Sequence, residues 1–146
     1  MKDKDLIWLV VLAVAFFWFR GGNSPFVPIE PPPFPSQGLR VLILEETGDR
    51  GKLPRPQLAI LSSTKLTKWL NEHCVDNGWR KLDDDMTAEE LNLAAPVWQE
   101  AFTLTKAQSD GKTPWIAITD GKSGESRPLP QTEAELMTIL EKYGGA

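Results

Sequence analysis

Fourteen consecutive apolar residues, Leu6 to Phe19, fenced by Asp5 and Arg20, constrain this chain more than any other stretch. A run that is apolar on every face has no polar side to show at the surface of a small domain, so a core helix is the poorest reading. Trp8 near one end and Trp18 near the other suit a helix held between two membrane interfaces. The fourteen residues span about 21 Å as a helix against a hydrocarbon core of about 30 Å, a gap that snorkelling of Lys4 and Arg20 and local bilayer thinning can close. A cleaved signal peptide fits the length, but the text from Phe19 to Pro25 offers no small-x-small cleavage site. Residues 1–20 are therefore expected to be a single-pass membrane anchor. Lys2 and Lys4 precede the run and only Arg20 follows it closely, a bias that places the remainder on the non-cytoplasmic side.

Six of the eleven residues from Pro25 to Pro35 are proline, a composition that favours extended polyproline II and prevents helix or central strand. Residues 21–38 read as a spacer able to hold a domain about 30 Å from the membrane surface. The PxxP spacings within it have no flanking basic residue to orient a groove-type partner. That leaves 39–146 as one globular domain of ordinary size.

The net charge of -4 makes nucleic acid an improbable partner, because backbone binding needs clustered Lys and Arg to displace counterions. Cys74 is the only cysteine, so no intramolecular disulfide forms. Gly48 and Gly51 match neither a P-loop nor a dinucleotide fingerprint, since the Gly51-Lys52 pair is followed by Leu53. Asp83-Asp84-Asp85 lacks EF-hand spacing and reads as a solvated run before a helix N-terminus, where negative charge is favourable. No metal and no cofactor are expected.

Hydrophobic patterning lays out the domain. Leu39 to Glu45 reads as a buried strand, and Thr47 to Lys52 as a loop. A helix opens at Pro54 or Pro56 and runs to Cys74, with Ser62 to Thr64 as a soft middle. Trp79 to Leu82 is a second strand, and Thr87 to Glu90 is a capping box. Pro96 separates that helix from another carrying Val97, Trp98, Ala101, Phe102 and Thr105. Trp115 to Thr119 and Glu125 to Leu129 read as a hairpin around Asp120-Gly121, and a second capping box at Thr132 opens the last helix. The order β-α-β-α-β-β-α implies an α/β fold: one mixed sheet, parallel in its βαβ half and antiparallel in its hairpin, with helices on both faces.

This element order, with Thr113-Pro114 directly before the third strand, resembles the thioredoxin-like superfamily, in which a cis-proline at this point faces the start of the first helix. Redox-active members carry a Cys-x-x-Cys pair in the loop after the first strand; here that loop, Thr47 to Gln57, has no cysteine, so dithiol-disulfide exchange within the chain is ruled out. The resemblance implies recognition of an extended polypeptide there, with Thr47, Asp49, Arg50, Lys52, Arg55, Thr113, Pro114 and Trp115 as candidate binding residues. The expectation is a membrane-anchored, non-redox module that binds a protein or peptide partner. Two other classes stay open: a single-cysteine thiol enzyme using Cys74, and a structural membrane-tethered component of an envelope or assembly complex. Adjacent helical side chains diverge by about 100°, so His73 and Cys74 are not expected to act as base and nucleophile.

Overall fold

The computed structural model describes residues 31–145. Four strands form one mixed sheet in the order β2-β1-β3-β4. β1 is Arg40–Glu45, β2 Trp79–Asp83, β3 Trp115–Thr119 and β4 Gly124–Pro128. β1 pairs in parallel with β2 (Val41 opposite Trp79) and antiparallel with β3 (Leu44 opposite Trp115), while β3 and β4 form an antiparallel hairpin. The helices are α1 (Arg55–Leu61), α2 (Thr64–His73), α3 (Ala88–Asn92), α4 (Pro96–Ser109) and α5 (Glu133–Gly144).

Successive side chains of a strand point to opposite faces, and β1 is buried on both. Val41 and Ile43 join Ile116 and Ile118 under α1, α2 and α5, packing against Ile60, Leu66, Leu70, Leu136 and Leu140. Leu42 and Leu44 join Ala117 on the other face beneath α4, against Trp98, Ala101 and Phe102. A central strand covered twice needs a continuous apolar run, which is what residues 41–44 provide.

Local chemistry sets the element ends. The single helix expected from Pro54 to Cys74 is two, because the Ser63 hydroxyl accepts the Leu66 N–H at 3.0 Å and starts α2 afresh. Thr87 and Glu90 make both arms of their capping box. At Thr132 only one arm forms, from the Glu135 N–H to the hydroxyl. The segment Thr47–Lys52, expected as a loop, is a 3-10 helix in which the Glu46 carboxylate caps the Gly48 N–H.

The packed domain also reaches past the boundary expected between residues 38 and 39. Phe34 is 1% exposed and lies in the α4-side core, its ring tilted against Trp98 at 6.3 Å. The Pro33 carbonyl accepts from the Gln108 amide at 3.0 Å. The end of the proline-rich stretch is thus a strap across the domain, held because Phe34 packs between α4 and the sheet. Gly124 makes room for it: a Cβ there would run into the Ile118 carbonyl oxygen and stand 2.5 Å from Pro33 Cδ. Gly124→Ala is expected to lower unfolding stability by about 2 kcal/mol, the usual range for overpacking, as read by chemical denaturation; an unchanged midpoint would show that the strap has slack.

The anchor expected at residues 1–20, and the spacer up to residue 30, lie outside the described residues. Among the described residues no helix is long and apolar enough to cross a membrane.

Candidate functional site

The C-terminal ends of β1 and β2 and the start of β3 lie at one end of the sheet. Extending the β1–β3 register past its last pair sets Pro114 opposite Glu45 and Thr113 opposite Glu46. The Thr113-Pro114 peptide bond is cis. The Pro114 carbonyl accepts the Leu129 N–H at 3.0 Å, and the Leu129 carbonyl accepts from the buried Gln57 amide at 3.0 Å. A short relay of hydrogen bonds therefore ties the first turn of α1 to Pro114 by way of Leu129.

Beside it, Glu45 ends the apolar strand with a carboxylate only 5% exposed. Arg50 satisfies it with two bonds, Nε to Oε2 at 2.8 Å and a terminal nitrogen to Oε1 at 2.7 Å. Fork-to-fork geometry of this kind fixes the guanidinium plane as well as its position. The Glu45 hydrogen bonds, with its charge, raise Arg50 above its ordinary pKa. The Thr47 hydroxyl and N–H both donate to Asp83 Oδ2, so the 3-10 helix is pinned to the end of β2 as well. Burial pushes the Asp83 carboxyl up, but hydrogen bonds from Thr47 and Asp85 outweigh it and hold the group below the usual range. Asp85, hydrogen-bonded to Asp83 and facing its charge, is raised. The Glu46, Asp83 and Asp85 carboxylates have ligand oxygens within 4.8 Å of one another, the oxygen donors that hard cations take.

Of the eight residues named from sequence, the fold gathers Thr47, Arg50, Thr113 and Pro114 at this sheet end. Asp49 and Lys52 form an exposed ion pair with each other at 2.8 Å. Arg55 opens α1, exposed and in no ion pair among the described residues. Trp115 turns to the α4 face, half-buried, with its indole N–H donating to Ser126 Oγ at 2.8 Å. Sequence reasoning missed Glu45, Gln57 and Asp83. The signal for Glu45 was a charge closing a fully apolar strand; nothing local marks Gln57, whose partner lies 72 residues away.

No hydrogen bond among the described residues engages the backbone N–H or C=O of Thr113. An unpaired donor and acceptor at a strand entrance offer an extended chain two ladder bonds.

Cys74 sits elsewhere, at the C-terminal end of α2. Burial, eased only in part by the charge of Arg40, pushes its thiol up to about 12. His73 does not serve it: Nδ1–H donates to the Trp69 carbonyl at 2.8 Å and the imidazole stacks on the Trp69 ring at 4.1 Å.

Compared with known proteins, the chain matches no family model, no curated protein and no solved structure.

Proposed function

We propose that this chain is a membrane-anchored, non-redox, thioredoxin-like module that binds an extended segment of a protein partner. The observation that carries the reading is the cis Thr113-Pro114 bond at the entrance of β3, opposite the end of β1, with the unpaired Thr113 backbone beside it. The β-α-β-α-β-β-α order supports the resemblance, and a Thr47 to Gln57 segment without cysteine supports recognition without redox chemistry. In this reading the partner's backbone pairs with Thr113, and its side chains meet the 3-10 helix and the α1 start, where Arg55 is free to take an acidic group. The Glu45–Arg50 pair gives the groove a rigid wall. The Leu6 to Phe19 run supplies the anchor, and the prolines ahead of Pro33 hold the domain clear of the lipid on the non-cytoplasmic side.

Site-directed photocrosslinking of the full chain in its native membrane tests this. A benzophenone side chain at position 55 is expected to give one discrete partner adduct, at least about fivefold stronger than the same group at Lys122, at the far end of the sheet. Equal adducts from both positions would leave the domain as bulk in an assembly and remove the groove.

A further inference from the structure

The opposite end of the sheet holds two cations that no carboxylate among the described residues neutralises. Arg40 opens β1 and Arg80 lies in β2 opposite Leu42, so both point to the α4 face. Their guanidinium carbons stand 5.6 Å and 5.4 Å from the centroid of the Trp98 ring. An indole face holds a cation well, but it neutralises no charge. Among the described residues no carboxylate comes within ion-pair distance of either arginine. Arg80 makes one hydrogen bond, to the Trp79 carbonyl at 2.8 Å. Arg40 Nε is buried with no acceptor among the described residues. In a chain with 20 acidic and 16 basic residues, two adjacent arginines with no acid beside them among the described residues are a specific arrangement rather than a surplus of charge.

A third positive element meets them. Trp98 is the third residue of α4, whose N-cap, Ala95, makes no side-chain bond and whose first turn contains no acidic residue. The positive end of a fourteen-residue helix therefore goes uncompensated by side chains on the element that carries the indole.

We propose that Arg40, Arg80 and the first turn of α4 form a binding site for a phosphate group, carried either by a soluble phosphate ester or by an anionic lipid headgroup. Two guanidinium forks match a dianion in charge, and their planar donors match its oxygens. This site is at the other end of the sheet from the proposed peptide groove and stands independently of it.

The test uses the full chain, ¹⁵N-labelled, in uncharged detergent micelles, and reads the arginine Nε–Hε resonances as inorganic phosphate is added. The Arg40 and Arg80 signals are expected to move saturably, ahead of the other arginines, and Arg80→Gln is expected to weaken the apparent affinity about tenfold without altering the backbone spectrum. In nanodiscs, movement with phosphatidylglycerol over phosphatidylcholine assigns the headgroup as the source, and a response to inorganic phosphate alone assigns a soluble ester. Uniform, non-saturating movement of all arginines overturns the proposal. So does displacement of the same two signals by Glu30→Gln without phosphate, since the chain's own carboxylate would then be their partner.

Discussion

Iodoacetamide is expected to alkylate Cys74 about a thousandfold more slowly in the folded chain than in the same chain unfolded in urea, both at about pH 8. The thiolate is the reacting species, and burial moves the thiol from its model value of 9.0 to about 12, which lowers the thiolate fraction by about three decades at any pH below both values. The cause is placement rather than a helix dipole: Cys74 caps the C-terminal end of α2 and packs against the core beneath it, and the nearby Arg40 charge offsets only part of the desolvation. The same linkage gives a pH signature. A group raised on folding contributes stability that is fully present below 9.0 and is lost as the pH climbs towards about 12, so the folded chain is expected to weaken at strongly alkaline pH. Folded alkylation slower than unfolded by less than about tenfold would mean an accessible, ionisable thiol and would favour the single-cysteine enzyme. His73 is turned to the Trp69 carbonyl and ring and is not placed to activate it.

What the sequence disclosed about this protein follows from how far each interaction reaches. The four strands and the helices stood out because their signals are local: an apolar run at residues 41–44, hydroxyl caps at Thr87 and Thr132, prolines at the helix starts. The candidate site was half legible. Thr113-Pro114 and the cysteine-free loop are visible as text, but the loop's order is not. Asp49, Arg50 and Gly51 read as a polar turn until Glu45, buried by its strand, draws Arg50 back and Asp83 holds Thr47. Strand parity places Trp115 on the face of Ala117, and so of α4. Arg40 and Arg80 escaped notice because each looks like an ordinary charge at a strand end or edge. Only the parallel register, which sets Arg80 beside Leu42, shows that they share a face and an indole.

Phe34 is the clearest case of a residue hidden by its surroundings, and its removal is expected to cost most. Four prolines stand within three residues of it, and such a context carries no periodicity from which burial could be read. Yet its ring is enclosed by Trp98, 64 positions later, and by the α4 face of the sheet. Phe34→Ala both loses the transfer free energy of the ring and opens a cavity beside an indole that α4 cannot easily move to fill. The expected loss is about 3–4 kcal/mol, a large share of the 5–15 kcal/mol typical of a whole domain. Read by near-UV circular dichroism in urea, that is a midpoint lowered by roughly 2–3 M for a domain of this size. Leu93→Ala is the matched control, since Leu93 is 88% exposed and its truncation is expected to change stability by less than about 0.5 kcal/mol. If Phe34→Ala costs no more than the control, the strap is an ornament and the domain begins at Leu39. If the loss is as expected, the folded domain begins by Pro33: a pull on the chain ahead of it would meet the Pro33–Gln108 hydrogen bond and then the Phe34–Trp98 contact, whose indole also carries Arg40 and Arg80.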